Sequence, residues 1–292
     1  MKKVIAIVGP TASGKTRLSI EIAKRIHAEI INGDSVQVYK GLDIGSAKIQ
    51  SHEMEGIKHH LLDIRDPKDS YSVFNFQKDT RLLIDQIDHP IIVGGTGLYI
   101  KAALYDYEFI ENKRSFDFES KYEHLKNEAL HELLLSHDPE VKIDLNNRRR
   151  LIRALEQALE GVPRSQKVKK DHLLYDTLII YLDLDRKVLE ERLNIRLEAQ
   201  LKNGFIDEVK KLKVKNIEIN AIGYRELSQY IDGVWTLDEA KEQIIIHSRQ
   251  LAKKQKTWFK NQMNPWMVDA LDENLIDKVY EKIHTFLNKE AS

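Results

Sequence analysis

Cysteine is absent from the 292 residues. Disulfides, thiolate nucleophiles and cysteine-ligated zinc or iron–sulfur sites are therefore excluded, and the composition fits a reducing compartment, taken here as the cytoplasm. Net charge is absent too, with 46 Lys and Arg against 46 Asp and Glu. Bulk charge thus points to no polyanionic partner, and any nucleic-acid site has to arise from local clustering. No stretch is long and apolar enough to span a membrane. Met1-Lys2-Lys3 followed by Val4 to Val8 has the charge order of a signal peptide. The apolar run is too short and a glycine-rich pattern follows at once, so it reads as a first strand. Internal repeats and low-complexity tracts are also lacking.

What is present suffices for a sizeable core: 42% hydrophobic and 32% charged residues, in one large domain or two smaller ones. Val4 to Val8 is a short apolar run ending in glycine, the pattern of a buried parallel strand. Residues 15–26 read as a helix, with Leu18, Ile22 and Ile26 at spacings of four, and Ala28 to Ile31 as a second strand. Ser72 can cap a helix running to about Ile87. Pro90 leads into a third strand, Ile91-Ile92-Val93, ending at Gly94-Gly95. Strands alternating with helices indicate a doubly wound parallel α/β sheet. Residues 116–135 and 146–160 then read as amphipathic helices without a strand between them, the second ended by Gly161-Val162-Pro163. Thr177 to Leu182 is a further strand. The expectation is a core of residues 1–110 and 175–292 with a helical insertion over 111–174. The remainder reads as mostly helical. A helix over about 237–261 places Ile244, Ser248, Leu251, Gln255 and Trp258 on one face.

Gly9-Pro10-Thr11-Ala12-Ser13-Gly14-Lys15-Thr16 fits G-x-x-x-x-G-K-[ST] between a strand and a helix. The glycines let the backbone curl so that several N–H groups face one anion, and the helix start adds partial positive charge. Lys15 supplies a point charge for terminal phosphates, and the Thr16 hydroxyl can hold Mg²⁺. The loop implies a bound di- or triphosphate, as in nucleotide- and ATP-binding proteins, without specifying the reaction. Asp34 follows the second strand, at the carboxyl end where open α/β sheets bind ligands. Its carboxylate suits water-mediated metal binding, general base catalysis or the capping of a local turn. Gly94-Gly95-Thr96-Gly97-Leu98-Tyr99 closes the third strand, and its glycines permit close backbone approach to a ligand. ATP-hydrolysing P-loop proteins typically have an aspartate there, and glycines with a threonine weaken a plain ATPase reading.

Two local basic clusters stand out. One holds Arg148-Arg149-Arg150, Arg153, Arg164, Lys167, Lys169 and Lys170. The other, Gln243 to Val268, lacks acids and carries Arg249, Lys253, Lys254, Lys256 and Lys260 around Trp258 and Phe259. Cations with interleaved aromatics suit RNA, whose phosphates attract them and whose unpaired bases stack. A solvated helix face with its aromatics in the core is the competing reading. Arg192 and Arg196, four apart, share a helix face that can reach the phosphate loop. His59-His60 lacks a third metal ligand and reads as structural. Asp63-Ile64-Arg65-Asp66-Pro67 reads as a loop with an ion pair or turn.

In order, the chain also carries Asp34-Ser35-Val36-Gln37-Val38-Tyr39, Asp43-Ile44-Gly45-Ser46-Ala47-Lys48, His60-Leu61-Leu62-Asp63, Arg150 to Glu156, Ile222-Gly223-Tyr224-Arg225-Glu226, Arg249 to Gln255 and Thr257-Trp258-Phe259. Together with the phosphate loop, from Val4 to about Phe259, these resemble the tRNA dimethylallyltransferase family, also called isopentenyl-diphosphate:tRNA transferases. The absence of cysteine makes the bacterial form the nearer likeness. The resemblance implies a P-loop NTPase-like core with a helical insertion, and transfer of a dimethylallyl group to the adenosine just 3′ of the anticodon. Its partners would be dimethylallyl diphosphate and the tRNA anticodon stem-loop, its cofactor Mg²⁺, and its state a monomer. The phosphate loop would hold the donor's diphosphate. Asp34 would be the base, with Thr96 and Arg196 supporting the reacting groups. Asp34, Ser35, Val36, Gln37, Thr96, Arg149, Arg150, Arg153, Ile222, Gly223, Tyr224 and Arg225 would meet the tRNA. One departure is visible: Asp144-Leu145-Asn146-Asn147 stands where the family often has His-Pro-Asn-Asp. A small-molecule or nucleotide kinase and a nucleotide-gated RNA-binding protein are the other classes that a phosphate loop allows. The motifs at Asp34 and at Gly94 to Tyr99 argue against both.

Overall fold

The computed structural model describes residues 1–107, 116–166 and 171–289. The chain divides into two compact units, Met1–Asp106 with His172–Ser292, and Tyr107–Asp171. The first unit begins with β1 (Lys3–Val8), α1 (Lys15–Ile26), β2 (Glu29–Asn32), β3 (His59–His60), α2 (Val73–Gln86), β4 (Pro90–Gly94) and α3 (Gly97–Leu104). The second contains α4 (Phe116–Lys121), α5 (Asn127–His137) and α6 (Arg148–Leu159). The first unit resumes with β5 (Asp176–Asp183), α7 (Arg186–Lys202), α8 (Phe205–Val214), α9 (Tyr224–Ile231), α10 (Leu237–Met263), β6 (Trp266–Asp269) and α11 (Leu275–Asn288).

The strands form one sheet, all pairs parallel, in the order β3-β2-β4-β1-β5-β6. β1 is buried on both faces. Val4, Ala6 and Val8 join Phe76, Ile100 and Phe259 in one cluster, and Ile5 and Ile7 join Leu18, Ile22 and Ile283 in another. A strand covered twice has no polar side, so it reads as an unbroken apolar run. The α2 start is fixed by a reciprocal cap: Ser72 Oγ accepts from the Asn75 amide, and Asn75 Oδ1 accepts from the Ser72 amide.

The sheet has two more strands than expected. β3 is a two-residue edge pairing with Ile30 and Ile31, too short to carry a period. Within it the imidazole of His60 meets Glu29 at 2.6 Å, and His59 Nδ1 meets the Ile57 carbonyl. β6 follows Asn264, which ends α10 in a left-handed conformation (φ 43°). Reading this tail as mostly helical overlooked that Asn264-Pro265 closes one element before Trp266 opens the next.

In the second unit, the single helix expected over 116–135 is two helices. Arg148 supplies the reason: its guanidinium donates to the carbonyls of Tyr122, Glu123 and Leu125, closing the turn between α4 and α5. Asn147, within the departing segment, caps α6 by accepting from the Arg150 amide at 3.2 Å. Leu130, Leu134, Leu151 and Leu155 form the unit's core. Among the cluster arginines, Arg153 pairs with the buried Glu156, whereas Arg149 and Arg150 are exposed. Lys167, Lys169 and Lys170 lie outside the described residues. Arg148→Ala is expected to cost about 1–3 kcal/mol of stability through lost charge-assisted hydrogen bonds. Arg149→Ala should stay within about 0.5 kcal/mol. Denaturant unfolding of the two variants checks this, and equal effects would deny Arg148 its structural role.

Candidate active site

The phosphate loop leaves β1 at Gly9, whose φ of 149° and whose packing require glycine: a Cβ there would lie 2.8 Å from the Leu182 carbonyl. The Pro10 carbonyl accepts from Ser13 Oγ (2.8 Å) and from Lys15 Nζ (2.5 Å). Ala12 and Gly14 both have positive φ, and α1 begins without a side-chain cap. Its first N–H groups are thus left for an anion.

Asp34 is seated from several directions. Asn32, buried at the end of β2, accepts from the Asp34 amide and donates to the Asp34 and Leu61 carbonyls. Gly33 donates to the Val93 carbonyl at 2.7 Å. Thr96 Oγ1 accepts from the Ser35 amide at 3.3 Å. Asp34 Oδ1 accepts from the Val36 amide at 2.8 Å. Its other oxygen has no hydrogen-bond partner among the described residues. The capping role considered for Asp34 is therefore real, and it uses one oxygen only.

A cavity of about 970 Å³ opens at these strand ends. Lys15, Thr16, Asp34 and Thr96 border it with Ser35, Val36 and Gln37. Arg192 and Arg196 enter from α7, donating to the Ala12 carbonyl (3.3 Å) and to Thr11 Oγ1 (2.7 Å). Burial lowers Lys15 to about 8 and Arg196 beside it acts the same way, while Asp34 opposes the shift. Burial also lowers Arg196, opposed by Asp34. Desolvated cations around a single carboxylate make a site that favours an added anion.

The glycines after β4 serve protein contacts. A Cβ on Gly94 would sit 2.3 Å from the Gly33 carbonyl, one on Gly95 2.6 Å from Gln255 Nε2, and one on Gly97 2.3 Å from the Trp258 ring. All three also border the cavity. The residues that spacing placed on one face of α10 do share one. Ile244, Ser248, Leu251, Gln255 and Trp258 all border the cavity, Ile244 and Ser248 being buried as well, together with Ala240, Ala252, Phe259 and Met263.

Two residues that the sequence did not single out organise the rest. Glu208 accepts from the amides of Asp43, Ile44 and Gly45 and from the Tyr224 hydroxyl. Gln200 donates to the carbonyls of Ile44 and Gly45. A glutamate on the apolar stripe Phe205, Glu208, Val209, Leu212 of α8 was the available signal. Glu226, also buried, accepts from the Gly223 amide and meets Arg225 and His247.

Residues 37–262 match the IPP transferase family. The chain belongs to that family. A tRNA dimethylallyltransferase of Acholeplasma laidlawii is 51% identical over 98% of this chain and 99% of its own length. A crystal structure of a tRNA delta(2)-isopentenylpyrophosphate transferase from Staphylococcus epidermidis has a TM-score of 0.74 at 41% identity, each chain wholly covered. A eukaryotic dimethylallyltransferase acting on tRNA reaches 0.86 at 27% identity, over 99% of this chain and 82% of that one.

In this IPP transferase the cavity thus gathers Thr11, Ala12, Gly14, Lys15, Thr16, Asp34 to Gln37, Thr96, Arg196 and Ile222 to Arg225. Gly9, Pro10 and Ser13 stand behind it as the loop's frame. Tyr224 is buried, with its hydroxyl given to Glu208. Arg149, Arg150 and Arg153 belong to the helical unit. In the second basic cluster, Arg249 pairs with Glu190 and Lys256 with Asp183, while Lys253, Lys254 and Lys260 are exposed. Phe259 is buried in the core, as the competing reading held, Trp258 packs against the same cluster, and both border the cavity.

Lys15 carries a pH prediction. Above about pH 8 the free protein's Lys15 loses its proton, whereas a bound diphosphate favours the charged form. Binding then takes up a proton, so affinity for a non-reacting allylic diphosphate analogue should be level below about pH 8 and fall up to tenfold per pH unit above it. Calorimetric titration across pH checks this, with Lys15→Ala expected to remove the slope. A flat wild-type profile would contradict the assignment.

Proposed function

We propose that the chain transfers a dimethylallyl group from dimethylallyl diphosphate to the exocyclic amine of the adenosine just 3′ of the anticodon in tRNA, releasing diphosphate. The observation that carries it is the seating of Asp34, a carboxylate with one oxygen committed to a turn and the other open, in one cavity with Lys15 and Arg196. The names of the relatives support the reaction, since they denote transferases of this group acting on tRNA.

The chemistry follows from the groups. The bond from C1 to the diphosphate oxygen breaks, its electron pair leaving with diphosphate, as C1 gains cationic character. Lys15, Arg196, Arg192 and the loop N–H groups neutralise the charge that grows on the leaving group. The amine lone pair forms the C–N bond, and the open oxygen of Asp34 takes one amine proton, a contribution typically of about 10²–10⁴-fold. Thr96 holds the Asp34 loop through Ser35. Magnesium belongs to this reading. The Thr16 hydroxyl and the Asp34 carboxylate border the same cavity. They are hard oxygen donors too few to enclose an ion, which suits one that keeps waters and phosphate oxygens. Bound there, it would supply further charge neutralisation on the diphosphate.

The adenine has to leave its stack to reach Asp34, so it flips. Gln37 stands beside Asp34 to read its edge, and Ile222 to Arg225 form another part of the wall. Arg149, Arg150, Lys253, Lys254 and Lys260 meet tRNA phosphates, with Arg153 retained through its Glu156 pair. The chain works as a monomer in the cytoplasm. Among the described residues, no helix is long and apolar enough to cross a membrane.

Incubation of unmodified tRNA with the protein, Mg²⁺ and dimethylallyl diphosphate, followed by mass spectrometry of nucleosides, should reveal dimethylallyl-adenosine. Turnover with ATP in place of the prenyl donor would overturn the reading. Asp34→Asn preserves the turn and removes the base. Its kcat should fall at least about 10²-fold with substrate affinities little changed, and a modest loss would refute the base role. Arg149→Ala with Arg150→Ala should weaken tRNA binding and flatten its salt dependence, leaving the donor titration alone. An unaltered tRNA salt slope would return both arginines to the solvent.

A further inference from the structure

We propose that Glu208 is a positioning residue that sets recognition of the acceptor base and of the diphosphate together, by fixing the Asp43–Lys48 loop. The loop runs between the two side chains assigned to those tasks. The Ser46 carbonyl accepts from Gln37 Nε2 at 3.1 Å and from Arg196 Nη2 at 3.4 Å. One carbonyl oxygen thus touches the side chain assigned to the adenine and the side chain assigned to the leaving group. Wherever that oxygen moves, both partners lose their reference.

The loop is held by α8 and by the end of α7. The Asp43, Ile44 and Gly45 amides converge on the Glu208 carboxylate at 3.0, 2.8 and 3.1 Å, and the Tyr224 hydroxyl joins them at 2.7 Å. Four donors and no acceptor meet this side chain. That pattern suits a carboxylate, which offers about four lone-pair sites, and opposes an amide, which would turn N–H toward N–H. Gln200 holds the other edge of the same peptides through the carbonyls of Ile44 (2.6 Å) and Gly45 (3.1 Å). Gly45 lets the loop lie flat on the rings: a Cβ there would meet the Phe205 ring at 2.1 Å and Tyr224 at 2.6 Å. Past the carbonyl, Lys48 is buried between Asp43 and Asp63 and donates to the Tyr39 carbonyl. Glu208 is buried and borders no part of the cavity, so it acts through the loop and not on a substrate.

The inference rests on Gln37 and Arg196 meeting the two substrates, and the test separates the two ideas. Glu208→Gln, Gln200→Leu, Gln37→Ala and Arg196→Ala are each titrated well below their melting temperatures. One probe is inorganic diphosphate with Mg²⁺. The other is a pair of anticodon stem-loops with adenosine or unsubstituted purine riboside at the acceptor position. Gln37→Ala should lose discrimination between the stem-loops, and Arg196→Ala should lose diphosphate affinity. Glu208→Gln should lose both, by about tenfold each, the effect of one or two weakened hydrogen bonds on each side. If Glu208→Gln does not fold, Gln200→Leu decides, with the same two losses expected in smaller measure. A folded Glu208→Gln that keeps either property within about twofold overturns the positioning role, even if it melts lower. If Gln37→Ala and Arg196→Ala leave both probes unchanged, the site assignment falls instead.

Discussion

The backbone contact between Gly33 and Gly94 is the constraint on which the site depends. β2 and β4 are neighbours in register, and past their last paired residues the two chains come closer than any side chain would permit. That closeness brings Thr96 Oγ1 to the Ser35 amide and the Val93 carbonyl to the Gly33 amide. Asp34 is thereby placed at the mouth of the sheet. The next glycines extend the same logic outward. Gly95 admits Gln255, which donates to its carbonyl at 2.8 Å, and Gly97 admits the Trp258 ring. A glycine-rich segment at a ligand site invites the idea that the ligand needs the space. Here strand, loop and long helix also use it to meet one another, on a segment whose glycines border the cavity.

Charge balance in the whole chain conceals an imbalance at the site. Elsewhere cations and acids pair on the surface, as in Lys278 with Asp272 or Lys213 with Asp232, and such pairs contribute little. In the cavity Lys15, Arg192 and Arg196 converge, and the charge of Asp34 there opposes the lowering of Lys15 and Arg196. Burial lowers both Lys15 and Arg196, so the folded protein holds charges it would be relieved to see neutralised. The diphosphate of the proposed donor would supply that neutralisation, and the same cations would favour its departure with more negative charge. In the proposed reaction one preorganised field would serve binding and chemistry alike.

How much of this was legible in the sequence depended on whether a feature is local. β1, α1, the Ser72 cap, β4 and the phosphate loop follow from runs, spacings and caps within a dozen residues. The carboxyl-end rule was enough to set Asp34 opposite the loop. β3 was not legible because a two-residue edge strand has no periodicity. The break between α4 and α5 was not legible because its cause, Arg148, lies more than twenty residues on. Gln200 and Glu208 were missed for the same reason: each acts on a loop some 160 residues earlier in the chain. Spacing did find the α10 stripe, but what that stripe faces is set by the fold, which lays it along the wall of the cavity.

The two roles weighed for Asp34, the cap that is observed and the base that is proposed, are compatible in one arrangement. A carboxylate free in solvent samples several rotamers, and ordering it for reaction costs entropy at each turnover. The Val36 amide holds one oxygen at 2.8 Å, so that cost is met on folding and the other oxygen is left with a defined direction. The amide sits at the start of the Val36-Gln37 segment, where Gln37 already faces the Ser46 carbonyl. The proposed base and the proposed reader are thus fixed by the same few peptide groups. A turn that looks merely structural at the level of residues would, at the level of atoms, aim the oxygen proposed to take the proton.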